Sequence, residues 1–233
     1  MGGQNSGFSD EDISDIICIL LPASRIAHQE VRQLAAEGSP HIFKPHDDME
    51  HDYHLEDDAS HFDLGPSAAT ENALILRLSA QTKDPLLGYT FGRNSQRCDV
   101  PFRHDPHKRL SNIHFRIYVN EFGSLMIEDT STNGTYVDTG LLQAARSRNR
   151  RSVAVGDKRT LESGLKVGIA LAGGDQTDLR FLVRIPRREG AYDKAYTAKV
   201  KEYLARLDTL RAERDRNLGP RPAAPVRLSL PNE

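Results

Sequence analysis

From residue 73 to residue 185 the chain alternates short strand-like runs with turn signals at steady spacing, and that rhythm argues for an antiparallel β-sandwich. Strands are read over residues 73–78, 87–92, 98–102, 114–119, 125–128, 134–137, 141–142, 159–161, 165–171 and 179–185. Glu121-Phe122-Gly123 and Gly173-Gly174-Asp175 read as hairpin-type turns between them. Pro186 ends the domain.

Three polar clusters stand where strands end or begin. They are Phe91-Gly92-Arg93, then Arg109-Leu110-Ser111-Asn112-Ile113-His114-Phe115, then Asp129-Thr130-Ser131-Thr132-Asn133-Gly134-Thr135. Side chains at strand ends reach one rim of a sandwich and can converge there. What converges is an arginine, several hydroxyls and two asparagines, a donor-rich set with no obvious base and no metal ligand set. It suits an anion such as a phosphate, held by charge-assisted hydrogen bonds. The rim reads as a phosphopeptide-binding site.

Gly92-Arg93, then Ser111-x-x-His114, then Thr132-Asn133-Gly134-Thr135, in this order, resemble the forkhead-associated (FHA) family over roughly residues 73–186. The resemblance implies a mainly β fold, an FHA-type sandwich of about eleven strands that binds phosphothreonine peptides through loops at one end. The run from Arg109 to Phe115 is similar to the FHA regions of fungal checkpoint-type serine/threonine kinases, which implies a place in DNA-damage signalling. By this resemblance Arg93 forks onto the phosphate, Gly92 turns it into the rim, and Ser111 bonds the phosphate directly. Asn112 bonds phosphate or peptide backbone, at a place where many relatives carry Arg or Lys. Thr132 and Asn133 form the second wall, and Arg109 reads an acidic side chain three residues after the phosphothreonine. His114 braces the loop rather than acting as a base, and Gly134 supplies a positive-φ turn.

The expected function is therefore a non-catalytic adaptor or regulatory module, with a threonine-phosphorylated protein as partner and no cofactor or metal. The alternative is a fragment of an FHA-containing kinase whose catalytic domain is missing. No strand-borne Val-Ala-Ile-Lys, no His-Arg-Asp and no Asp-Phe-Gly is present. A third reading, a structural protein whose pocket no longer takes phosphate, is opposed by intact Arg93, Ser111 and Asn133.

The flanks are read as separate segments. Residues 1–40 form a helical or mixed piece, with a helix over 25–37 carrying Ile26, Val31, Leu34 and Ala35 on one side. Residues 16–21 are too uniformly apolar to tell strand from buried helix, and the piece either packs on the sandwich or stands alone. Residues 41–72 are acidic and His-rich, and read as a disordered, solvated linker rather than a zinc site. Residues 187–218 hold a helix with Tyr196, Val200, Tyr203, Leu207 and Leu210 in a short heptad stripe, expected to pack on a core or to serve as a connector. Residues 219–233 are a Pro-rich tail. Arg146, Arg148, Arg150 and Arg151 lie in a surface loop.

Composition narrows the partners. The formal net charge of −2 makes no global case for nucleic-acid binding. Two distant cysteines, Cys18 and Cys98, suggest a reducing compartment, with Cys98 a small buried hydrophobe. No apolar run reaches membrane-spanning length and no signal peptide is evident. Gly2 sits in a myristoylation-like start, read as a flexible leader. The expected location is intracellular, the nucleus before the cytoplasm.

Overall fold

Strict alternation builds the core. In the strands Phe115–Val119 (β6) and Leu125–Asp129 (β7) every second side chain is buried, because successive residues of a strand face opposite sides of the sheet. The computed structural model describes residues 14–43, 72–105, 108–143, 157–169, 179–186, 188 and 190–218. Twelve strands in two sheets lie within them.

The first sheet has seven strands. Their spatial order is Ile42–Phe43 (β2), Ala73–Arg77 (β3), Ile16–Pro22 (β1), Leu179–Arg184 (β12), Lys166–Ile169 (β11), Thr135–Val137 (β8) and Gly140–Leu142 (β9). The second sheet runs Lys158–Thr160 (β10), β7, β6, Tyr89–Gly92 (β4) and Val100–Pro101 (β5). Pairing is antiparallel except between β4 and β5, where Phe91 lies beside Val100 and Gly92 beside Pro101 in a parallel register. Stacked Phe91 and Phe115, with ring centroids 4.6 Å apart, and stacked Phe102 and Phe181, 5.7 Å apart, sit in the interior. Aromatic pairs at these separations add to their burial energy.

Residues 14–40 are not set apart from the sandwich. β1 lies between β3 and β12, with Ile19 opposite Ile75 on one side and Arg184 on the other. Its residues divide between two apolar clusters: Ile17, Cys18 and Leu20 join the main core, while Ile16, Ile19 and Leu21 join a second one with Phe43, Ile75 and Leu182. A strand buried on both faces has no polar side to show, so it reads as an unbroken apolar run. Burying Leu20 completely contributes roughly 2 kcal/mol, and a charge there would disrupt an interior strand of the sheet.

The helix Arg25–Ala36 (α1) follows, capped by Ser24, whose hydroxyl accepts from the Ala27 N–H at 3.3 Å. It packs Ile26, Ala27, Val31 and Leu34 into the main core. Residues 41–43, expected to open a linker, are part of the sandwich: His41 is buried edge-on to Tyr89, centroids 5.3 Å apart, and β2 pairs with β3. Residues 44–71 lie outside the described residues, as do Gly2, the Arg146–Arg151 loop, the turn at 173–175 and the tail from 219.

The helix Ala191–Leu218 (α2) packs on the sandwich rather than standing alone. Val200 and Leu207 of the expected stripe are buried, and Tyr196, Tyr203 and Leu204 pack half-buried against the same core. Arg188 stacks 3.6 Å above the Tyr196 ring. Arg206 donates to the Leu78 carbonyl at 3.1 Å, and Arg214 pairs with Asp84 at 2.9 Å. No helix among the described residues is long and apolar enough to cross a membrane.

Candidate functional site

The three polar clusters meet at one end of the sandwich, around a cleft of about 910 Å³. Its walls include all six residues singled out in the sequence as ligand contacts: Arg93, Arg109, Ser111, Asn112, Thr132 and Asn133. β4 delivers the first, the β5–β6 loop the next three, and the β7–β8 loop the last two.

Gly92 is what lets the first two loops touch. A Cβ there would come within 2.6 Å of the Asn112 carbonyl oxygen, 2.8 Å of the Ser111 carbonyl oxygen and 2.9 Å of the His114 nitrogen. The glycine is therefore demanded by close backbone approach, not by a positive φ as a tight turn would need. The approach is sewn by backbone bonds: the Arg93 N–H donates to Ser111 O at 3.0 Å, and the His114 N–H donates to Phe91 O at 2.6 Å. Arg93 then emerges exposed, with its Nε donating to Asn112 Oδ1 at 3.4 Å. Asn112 thus touches the arginine it stands beside.

His114 joins the second loop to the third. It is fully buried, and its Nδ1 accepts the Ser111 N–H at 3.2 Å. The ring proton therefore sits on Nε2, which donates to the Gly134 carbonyl at 3.1 Å. Burial holds the ring's proton affinity below the ordinary histidine range, against an opposing pull from the Gly134 bond and the Asp129 charge. Both nitrogens are occupied by backbone, which leaves no free base. Gly134 has φ of 89°, and a Cβ would come within 2.8 Å of the Leu142 carbonyl.

The third loop is locked from below by Asp129, fully buried. Its Oδ1 accepts the hydroxyls of Ser131 at 2.8 Å and Thr135 at 2.6 Å. Ser131 Oγ in turn accepts the Gly134 N–H at 2.7 Å. Charge-assisted bonds of this kind are about twice as strong as neutral ones. Two further bonds cross the cleft. The Thr132 N–H donates to Ser111 Oγ at 3.2 Å, which leaves that hydroxyl its own proton to give. Asn133 Nδ2 donates to the Arg109 carbonyl at 2.9 Å.

Sequence reasoning missed Arg97, Lys108 and Arg116, which also line the cleft, as does Thr130 of the third cluster. Arg97 and Lys108 stand on loops whose spacing carries no signal. Arg116 alternates outward on β6 and pairs with Glu128 at 2.8 Å. The lining thus holds five cationic side chains and one carboxylate, itself engaged by Arg116. Clefts lined by one sign of charge concentrate the opposite ion. Cys98 is buried, its thiol pushed up to about 11 by burial, and it donates to the Asn112 carbonyl at 2.9 Å.

The loops at this end of the sandwich thus gather arginines, hydroxyls and amides around one cleft. Residues 89–160 match the family model of the FHA domain, and the chain carries an FHA domain there. Over 81 residues it is 36% identical to the serine/threonine-protein kinase RAD53 of Saccharomyces cerevisiae, a match covering 35% of this chain and 9% of that kinase. Among solved structures, the N-terminal FHA domain of Rad53p from S. cerevisiae, in complex with a phosphothreonine peptide, is 29% identical. That alignment covers 48% of this chain and 83% of that one, with a TM-score of 0.33. The FHA1 domain of yeast Rad53 is 19% identical, covering 81% of this chain and 91% of that one, with a TM-score of 0.40.

Proposed function

We propose that the protein is a phosphothreonine-peptide binding module that works as a signalling adaptor or regulatory region and performs no chemistry itself. One observation carries this: Arg93, Ser111, Asn112, Thr132, Asn133 and Arg109, from three separate loops, line a single cationic cleft. Arg93 supplies a guanidinium that forks two donors onto a phosphate dianion. Ser111 adds its hydroxyl proton, and Asn112 orients the arginine. Asn133, steadied by the Arg109 carbonyl, keeps an amide hydrogen and its oxygen for the peptide backbone. Arg109 reads an acidic side chain three residues on, roughly 10 Å away along an extended peptide.

Titration calorimetry with phosphothreonine peptides and their unphosphorylated counterparts tests the reading. Arg93→Ala, folded by circular dichroism, should lose roughly 2–5 kcal/mol of binding. A micromolar complex holds only about 8 kcal/mol in all, so binding should weaken by about thirtyfold or more. Near-wild-type affinity in the folded variant sinks the assignment.

A second reading makes this chain a region of a longer FHA-containing serine/threonine kinase. The identity with a kinase of that class favours it. A transcript encoding a glycine-rich nucleotide loop beyond residue 233 would decide for it. In either case the expected partner is a threonine-phosphorylated protein, not nucleic acid or membrane, met inside the cell and in the nucleus before the cytoplasm.

A further inference from the structure

α1 carries one acidic residue, and it lies on the inward face. Glu30 is 1% exposed, in line with Ile26, Ala27, Val31 and Leu34. An apolar side chain would complete that face at no cost, whereas a carboxylate there must be desolvated and needs partners. Its partners are backbone, 73 residues away in the β5–β6 loop. The Arg103 N–H donates to both carboxylate oxygens, at 2.9 and 3.0 Å, and the His104 N–H donates to Oε1. Arg103 adds a guanidinium contact to Glu37, just past the end of α1, at 2.9 Å.

The next residue passes the constraint on. The Asp105 carboxylate accepts the Arg109 N–H at 2.7 Å and the Leu110 N–H at 2.8 Å. The Arg109 carbonyl then takes the Asn133 side-chain amide at 2.9 Å. Two sets of hydrogen bonds, joined through the backbone from His104 to Asp105, therefore run from the inward face of α1 to both walls of the cleft.

Resting on the phosphopeptide reading above, we propose that Glu30 is a positioning residue for the cleft, and that α1 and its buried carboxylate hold the Arg109–Asn112 loop in its binding geometry. Glu30 touches no ligand. It fixes the backbone at Arg103 and His104, so that Asp105 can fix Arg109 and Leu110, and Arg109 can fix Asn133. The binding unit then extends back to residue 25, well before the stretch that carries the family's motifs.

The experiment uses the full chain with Glu30→Ala and Glu30→Gln, read by residue-resolved amide hydrogen exchange and by calorimetry. Peptides carry Asp or Ala three residues after the phosphothreonine. In Glu30→Ala, exchange at Arg109 and Leu110 should quicken while Ile117 and Ile127 in the β6–β7 ladder keep their protection. Affinity for the Asp peptide should drop about two- to thirtyfold, the span of couplings carried through such networks. The preference for Asp over Ala should shrink with it. Glu30→Gln keeps one acceptor oxygen and should fall between, and it serves as the measure if Glu30→Ala does not fold. A residue that merely docks the helix would lower every affinity in proportion to the unfolded fraction and leave the Asp preference intact. That result, or unchanged exchange at Arg109 and Leu110, overturns the proposal. Altered exchange in a protein whose wild type binds no phosphopeptide would uphold the positioning of the loop and discard the phosphopeptide reading.

Discussion

Replacing His114 by leucine tests how the second and third loops are held. The side chain is fully buried and makes two bonds, accepting from the Ser111 N–H and donating to the Gly134 carbonyl. Leucine fills similar space and makes neither. A buried polar group left without its partner costs about 1–3 kcal/mol. Gly134 is buried, so its carbonyl falls at the upper end. Ser111 is half-buried and water can reach it, so its N–H falls at the lower end. The sum is roughly 4 kcal/mol, or about 8–16 °C in Tm for a domain of this size. Urea unfolding followed by circular dichroism measures it. The pH dependence supplies a second readout. Burial depresses the folded proton affinity of His114, so as pH falls the unfolded chain takes the proton first. The contribution is complete above the ordinary histidine value of about 6.5 and is lost as pH falls through the depressed folded value. His41, also lowered by burial, titrates in the same direction, and Glu30, raised by burial, in the opposite one. The difference between wild type and His114→Leu isolates His114 and should shrink across that window. A loss below about 1 kcal/mol, or a difference that does not change with pH, refutes the bracing role.

Matched peptides should show tighter binding of phosphothreonine than of phosphoserine, by about fourfold if methyl burial alone contributes its ~0.8 kcal/mol. Equal affinities would mean that the cleft reads phosphate charge alone. Arg109→Glu should turn the preference three residues after the phosphothreonine from Asp toward Lys while phosphate dependence survives. The shift should be about 1 kcal/mol and should weaken with added salt, and a preference that stays acidic takes the role away from Arg109. Gly134→Ala should destabilise the domain by roughly 2 kcal/mol, because a non-glycine residue at positive φ costs about 1–2 kcal/mol and the Leu142 carbonyl blocks the new Cβ. An unchanged Tm would show that the β7–β8 loop can relax.

The sandwich, and the residues that line the cleft, are legible in local pattern. Alternation in residues 115–119 and 125–129 exposes the period of a half-buried strand, and a period of two can be read from any stretch that has one wet face. The clusters at Gly92-Arg93, Ser111 to His114 and Thr132 to Thr135 sit at strand ends, where a sandwich can bring them to one rim, and contacts across the loops hold them there. β1 was illegible for the opposite reason: both its faces are buried, between β3 and β12, and an unbroken apolar run carries no period. Glu30 could not be read either. A glutamate on a helix is ordinary, and only the arrival of the Arg103 and His104 N–H groups, 73 and 74 residues on, makes it a buried acceptor. Gly92 looked like a turn and proved to be a point of backbone contact, which depends on what lies across from it. Local composition determined which segments form strands and which polar groups face the rim. Tertiary structure alone decided what covers each face, because burial is a property of the partner as much as of the residue.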